Sequence, residues 1–399
     1  MGLGSRYGAS QQKEVISEPT PIRHGEGVRC WLVGSKRIHS RLIIGDGHSQ
    51  TLFWRIHFTT MQLSTDEILE LYQFCQQLGR SAGAIILRGS KAILEQKGKL
   101  DHGVNEKKNA VDLVTEWDVR VEEYVKEKIR ESYPGFSFIG EESYSAGEQN
   151  PVTDTPTFCV DPIDGTTNFV HGFPYACISI GFRIVNSSME CLFQYHGLKG
   201  HGSYLVSPLH PTPLRLPIST PGPLRSLSEA QVAVEWGSDR SKQIIEAKSR
   251  SYARLAGDGS NKGNVEGGRM VHSLRSLGSA ALNFANVASG GLDIYWYDPL
   301  SPILRICAEY KTGKSVVGTL LNPNAGVVIA QEAGSLVAGS SGALLTGAVD
   351  ENTLTGRKYI VIRCLMLTCT MTIKEESGLD AQKRLIKEFY DTVEDWAPN

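Results

Sequence analysis

The stretch Val160-Asp161-Pro162-Ile163-Asp164-Gly165-Thr166-Thr167-Asn168-Phe169 constrains this chain more than any other. It grows out of an apolar run, Thr157 to Val160, that reads as a buried strand. Side chains leaving the carboxyl end of such a strand stand where α/β sheets place their ligands. Asp161 and Asp164 there are hard oxygen donors of the kind Mg²⁺ takes, a few carboxylates completed by substrate phosphate and water. Gly165 lets the backbone come close to an anion, and the amides after it can cradle phosphate. The same Pro, Asp and Gly would also serve a plain turn joining two strands. Thr-Thr-Asn-Phe is more than a turn needs, and it tilts the reading toward a site.

Composition sets the frame around that stretch. A chain of 399 residues holds one large or two medium domains. The net charge of −2 argues against nonspecific nucleic-acid binding, so any anion site has to be built locally. Eight cysteines without C-x-x-C pairs or zinc spacing read as reduced thiols in an intracellular protein. No run approaches the ~18 apolar residues of a membrane span, and the N-terminus lacks the apolar core of a signal peptide. A cytoplasmic protein is expected.

Residues 1–62 mix Gly, Ser, His and Arg with short apolar pieces of no sustained period, and they read as a poorly ordered extension. From Leu63 the texture changes. Ser64 and Glu67 form a capping box, and Ile68, Leu71, Tyr72, Cys75, Leu78, Ala82, Ile85 and Ile86 keep helical spacing, so a long amphipathic helix is expected to about Gly89. Asp118 reads as the start, and the N-cap, of a helix with Val121, Val125 and Ile129 on one face. Tyr133-Pro134-Gly135 breaks that helix, and the strand Phe136 to Ile139 runs into Gly140-Glu141-Glu142.

The decapeptide resembles the core motif of the inositol monophosphatase family, the lithium-sensitive, Mg²⁺-dependent phosphatases. Asp112-Leu113-Val114-Thr115-Glu116-Trp117-Asp118 and Gly140-Glu141-Glu142 are similar to two further motifs of that family. The resemblance covers about residues 63–395, divided into a metal-binding half (63–225) and a substrate-side half (226–395). It implies a layered α-β-α-β-α fold and a homodimer. It implies two or three Mg²⁺ ions held by Glu141, Asp161, the Ile163 carbonyl and Asp164, with Li⁺ as inhibitor. Glu141 and Thr166 would orient the attacking water, Thr115 would help, and Asp118 would stand beside the metals. Substrate, a small phosphate ester such as inositol monophosphate, would meet Glu141, Ile163, Asp164, Gly165 and Thr166. Its ring would face Gly278, Ser279 and Ala280. A lysine near the family's active-site loop aligns with Lys107 or Lys108.

Three departures are visible. Between Phe182 and Lys199 the chain looks too short for a strand pair, and a disturbed sheet edge is expected there. After Trp296 the family's Trp-Asp motif, whose aspartate binds the second metal, is missing; Asp298, after Tyr297, is the only local acid near an aromatic, and Pro299 and Pro302 oppose a helix starting on it. Residues 298–324 therefore read as an insertion, with the family's helix resuming near Ala325. Cys364 to Ser377 is unfamiliar before a final amphipathic helix, Asp380 to Trp396. A phosphatase of another small phosphate (a sugar phosphate or a nucleotide 3′-phosphate) and a non-catalytic relative that binds phosphate or a partner both stay open.

Overall fold

The computed structural model describes residues 63–96, 104–106, 113–147, 155–184, 187–192, 195–207, 210–237, 239–297, 323–340, 345, 359–366, 368–370 and 373–394. The expectations for residues 1–62, for Lys107 and Lys108, and for Asp298 and the segment through 322 lie outside these.

The described chain opens with α1 (Thr65–Gln96), β1 (Val104–Glu106), β2 (Leu113–Thr115) and α2 (Glu116–Ser132). The capping box forms: the Ser64 amide donates to Glu67 Oε2 at 2.8 Å and the Glu67 amide to Ser64 Oγ at 3.3 Å. The helix does not stop at Gly89. A glycine inside a helix costs about 1 kcal/mol, and burial of Ile93 one turn further on outweighs it. Strand β1 pairs antiparallel with β2.

The first sheet follows, with β3 (Ser137–Gly140), α3 (Glu141–Ser145), β4 (Thr157–Asp164), α4 (Thr166–His171), β5 (Cys177–Ile184), β6 (Ser187–Leu192), β7 (Tyr195–Leu198), β8 (Gly202–Ser207) and β9 (His210–Arg215). Its seven strands lie in sequence order. Strands β3 and β4 are parallel, and every later neighbour is antiparallel. The expected shortage between Phe182 and Lys199 is absent: β6 and β7 pair in regular register in the middle of the sheet, because the strand bounds leave residues enough for both. Strand β4 also runs further than its apolar residues suggest. Its pairing with β5 lapses between Asp161 and Asp164, where Pro162 has no N–H to donate, then resumes at Asp164 opposite Cys177.

The second sheet is built from β10 (Gln231–Val234), α5 (Lys242–Ala256), β11 (Ser273–Arg275), α6 (Ala280–Ser289), β12 (Ile294–Tyr297), α7 (Pro323–Glu332), β13 (Leu336–Ala338) and β14 (Tyr359–Ile362), in the order β11-β10-β12-β14-β13. The unfamiliar segment before the last helix holds β15 (Thr368–Thr370) and β16 (Ile373–Glu376), an antiparallel pair. Then α8 (Gly378–Thr392) closes the described chain, ending before Trp396.

These elements stack as five layers. Helices α1 and α2 pack on one face of the first sheet, α6 and α7 lie between the two sheets, and α5 and α8 cover the far face of the second. The second sheet shows why: its strands alternate between two cores. Ala233, Tyr295, Tyr359 and Val361 enter the core shared with α6 and α7. Val232, Val234, Ile294, Trp296, Ile360 and Ile362 enter the one shared with α5 and α8. A strand buried on both faces reads as a continuous apolar run, as these do. The third core, under α1 and α2, holds Phe158, Val160, Ile178, Ile180 and Phe182. Each such side chain contributes about 1.5–3 kcal/mol on burial. Together they fix the carboxyl end of β4 as a rigid platform.

Candidate active site

The site is assembled where β3 and β4 end side by side. Their parallel register pairs Gly140 with Val160, so Glu141 and Asp161 leave neighbouring strands at the same level. Asp161 and Asp164 are both buried, at 3% and 5% exposure, whereas Glu141 is partly exposed. Two carboxylates buried side by side place strong negative potential here. It is felt by Cys177, whose thiol is pushed well above its usual range by burial first and by Asp164 and Asp161 after it.

Gly165 makes the turn from β4 into α4 with φ of +94°, and a Cβ there would stand 2.8 Å from the Tyr175 carbonyl and 3.2 Å from that of Gly278. Only glycine suits both conditions. The turn delivers Thr166, whose hydroxyl lies 3.0 Å from the Ile163 carbonyl and 3.2 Å from Asp118 Oδ1. One hydroxyl proton serves these two acceptors. When Asp118 takes it, the Thr166 oxygen keeps lone pairs for a water.

Asp118 is not the N-cap of α2. Thr115 is, accepting from the Trp117 and Asp118 amides, and Asp118 is the third helical residue, whose carboxylate accepts from the Thr115 amide at 2.9 Å and from its hydroxyl. The sequence pattern T-x-x-D supports this better than a cap at Asp118, since the cap residue is the one three positions earlier. Both threonine hydroxyls thus reach one buried carboxylate, one on each oxygen.

Across the site, the turn before α6 grips Asp164. Ser279 donates its hydroxyl to Asp164 Oδ2, and the Ala281 amide donates to the same oxygen at 2.8 Å. Ser279 is also the N-cap of α6 and is 1% exposed, so its side chain faces Asp164 and its own helix. Ala280 is buried as well, while Gly278 is exposed on the turn.

Several residues of this neighbourhood were not picked out from sequence. Glu122, buried on α2, accepts from the Glu142 and Ser143 amides at 2.6 and 2.7 Å and so holds the first turn of α3, which starts at Glu141. Burial raises its pKa, with the bonds from Ser143 and Glu142 opposing. Asn168 donates to the carbonyls of Tyr175 and Leu277 at 2.8 and 2.7 Å. Glu235 and Asn283 sit behind the same turn. A signal existed for Glu122: a carboxylate directly after Val121, on the apolar face of α2.

Glu141, at the end of β3, and Asp161, the Ile163 carbonyl and Asp164, at the end of β4, offer only oxygen donors, the chemistry a hard divalent cation takes. Among the described residues no three His, Cys, Asp or Glu side chains already converge on one point. Mg²⁺ does not require that, since it binds through one or two carboxylates plus carbonyl, phosphate and water. The donor set fits.

The profile described as the inositol monophosphatase family matches residues 67–308, more than half of the chain. Protein qutG of Emericella nidulans is 33% identical over 82% of this chain and 94% of its own length. Quinic acid degradation cluster protein x of Neurospora crassa is 31% identical over 84% of this chain and 97% of its own. Inositol monophosphatase 2 of Saccharomyces cerevisiae is 40% identical over 48% of this chain and 63% of its own. Among solved structures, the extragenic suppressor protein suhB of Bartonella henselae shares the fold with a TM-score of 0.55 at 19% identity, covering 81% of this chain and 100% of that one. An inositol monophosphatase from Anabaena shares it with a TM-score of 0.51 at 18% identity, over 82% and 98%. The layered fold, the carboxylates at the end of β4 and these matches lead to one conclusion: the chain belongs to the inositol monophosphatase family.

Proposed function

We propose that this chain is a Mg²⁺-dependent phosphomonoesterase that hydrolyses inositol monophosphate to inositol and phosphate. The observation that carries the reading is the register that sends Glu141 and Asp161 off adjacent strand ends at the same level, with Asp164 ending β4 and the Thr166 hydroxyl against both the Ile163 carbonyl and Asp118. Glu141, Asp161, Ile163 and Asp164 would hold the metal. Bound there, Mg²⁺ supplies positive charge to the phosphoryl and leaving oxygens and makes water more acidic.

The protein's own groups do the rest. Glu141 and Thr166 orient a water in line with the phosphorus, and Asp118 fixes the Thr166 hydroxyl so that its lone pairs face that water. Thr115 holds Asp118 in place from the other side. The amides after Gly165 meet the phosphate oxygens. The water oxygen bonds to phosphorus as the ester P–O bond breaks; one of the water's protons ends on the departing alkoxide, which leaves as the alcohol, and the hydroxyl stays on the phosphate. Phosphomonoester hydrolysis is among the slowest uncatalysed reactions, so charge neutralisation has to supply much of roughly 20 kcal/mol of barrier lowering.

A second reading, a phosphatase of another small phosphate ester, draws support from two relatives matched over nearly their whole length, qutG and the quinic acid cluster protein, which carry other names. The test for both is phosphate release from inositol 1-phosphate, a sugar phosphate and a nucleotide 3′-phosphate, with and without Mg²⁺, with Li⁺, and in Asp161→Asn. Mg²⁺-dependent, Li⁺-inhibited turnover that favours inositol 1-phosphate and disappears in the variant supports the first reading. It would also mean that Asp298 or another acid completes the metal set. Preference for another ester supports the second, and absence of turnover in folded, Mg²⁺-binding protein sinks both.

A further inference from the structure

We infer that Glu235 is a positioning residue, whose carboxylate sets the turn at residues 276–279 and through it the orientation of the Asp164 carboxylate toward the metal. This rests on the reading of Asp164 as a metal ligand.

Glu235 follows directly on β10, in the second sheet, yet its side chain is spent on the turn that faces the first. Oε1 accepts from the Leu277 amide at 3.0 Å, the Gly278 amide at 3.0 Å and Asn283 Nδ2 at 2.8 Å. Oε2 accepts from the Ser276 hydroxyl at 3.0 Å. Four donors on one carboxylate are charge-assisted bonds, roughly twice as strong as neutral ones. They fix the backbone immediately ahead of Ser279, the residue that donates to Asp164.

The anchor is itself held. Lys248, 1% exposed on α5, donates to the Trp236 carbonyl at 2.7 Å and lies 3.5 Å from that of Glu235. On the other side, Asn283 accepts from the Tyr175 hydroxyl at 2.8 Å, and that hydroxyl accepts from Asn286 at 2.9 Å. Asn168 ties the Tyr175 and Leu277 carbonyls together. The resulting path runs Lys248, Glu235, the turn, Ser279, Asp164. Asp164 thus belongs to the first sheet by its backbone and is aimed by the second, through contacts too specific to tolerate a shifted turn.

The experiment measures Mg²⁺ binding by calorimetry alongside thermal unfolding and kcat and KM on inositol 1-phosphate. The proteins are the full chain and its variants Glu235→Ala, Glu235→Gln, Glu235→Asp, Ser279→Ala, Asp164→Asn and the Glu235→Ala/Ser279→Ala double variant. Glu235→Ala should weaken Mg²⁺ binding about tenfold, and the double variant should be no weaker than the worse single one, because both changes act on the same link. Glu235→Gln should recover most of the loss, since its amide oxygen can take the three donors of Oε1. Should Glu235→Ala not fold, Glu235→Asp keeps the charge but withdraws it by one methylene, and about threefold weakening is expected. A folded Glu235→Ala or Glu235→Asp with wild-type Mg²⁺ affinity overturns the proposal while leaving the phosphatase reading intact. Effects of Glu235→Ala and Ser279→Ala that multiply also overturn it. Unchanged Mg²⁺ binding in Asp164→Asn overturns the metal-ligand reading and the proposal with it.

Discussion

Glu122 offers the sharpest test of how the site is held. Its carboxylate is 4% exposed and accepts from the Glu142 and Ser143 amides at 2.6 and 2.7 Å. Truncation in Glu122→Ala leaves two partly buried N–H donors at the start of α3 without their acceptor, at no more than about 1–3 kcal/mol each. The expected loss is at most about 2–6 kcal/mol, toward the low end because the donors are partly exposed, against a typical stability of about 5–15 kcal/mol, so the variant should still fold at low temperature. Glu122→Gln keeps one acceptor and sets an NH₂ against the second amide, so roughly half of that loss is expected. The carboxylate lies directly against the Gly140 backbone, where an added Cβ would stand 2.3 Å from the Glu122 carboxyl carbon. Glu141 opens the same helical turn, and misplacing a reacting group by about 1 Å can cost roughly 100-fold in rate. Urea titration gives the stability change, and turnover as a function of Mg²⁺ gives the functional one. Glu122→Gln should raise the Mg²⁺ concentration needed for half-maximal rate while the protein remains folded. A stability loss near zero, or an unchanged Mg²⁺ requirement in destabilised protein, would refute the claim that Glu122 places Glu141.

Three further outcomes are expected. Gly165→Ala forces φ of +94° on a residue with a Cβ and pushes that atom against two carbonyl oxygens; left-handed backbone at about 1–2 kcal/mol and overpacking at about 1–3 kcal/mol should appear in denaturant unfolding, and an unchanged midpoint would contradict the turn. Asp118→Asn should lower kcat by roughly 100-fold with far-UV circular dichroism unchanged, because the Thr166 hydroxyl loses its anionic partner; wild-type kcat would remove Asp118 from the mechanism. His196, buried against α1 with Tyr72 and Gln76 on Nδ1, has its pKa lowered to about 4 by burial and then by Arg80. The unfolded chain, with a histidine near 6.5, then binds more protons than the native one between those values, so stability present above pH 6.5 falls as pH drops, by about 3 kcal/mol near pH 4. Urea midpoints from pH 7.5 to 4.5 should show a shallower slope in His196→Asn than in wild type; equal slopes would exclude this histidine.

Much of the site was legible because its chemistry is local. Asp161, Asp164, Gly165 and Thr166 stand within six residues, and the only fold information they need is that a buried strand precedes them. Glu141 was legible for the same reason, as the residue after a second strand. The capping box at Ser64 and the face of α1 followed from spacing alone. Where the reading slipped, the deciding force was not local. Whether α1 stops at Gly89 depends on what Ile93 packs against, and whether a strand pair fits before Lys199 depends on which neighbours β6 and β7 pair with in the sheet. The N-cap of α2 is the exception: Thr115 rather than Asp118 takes it through a local three-residue pattern that the sequence already carries.

The sequence by itself determined the donor types, the glycine where the chain must turn left-handed, and the apolar runs that become strands buried on both faces. Tertiary structure alone decided which distant groups act on those donors. Nothing in the numbering connects Glu122 to residues 142 and 143, or Glu235 to residues 277 and 278, or Ser279 to Asp164. Each pair is 20 or more residues apart, and it meets because a sheet edge and a helix end are held by cores elsewhere in the molecule. A carboxylate's identity is written in one residue. Its direction is set by hydrogen bonds from elements that reach it only after the hydrophobic layers have closed.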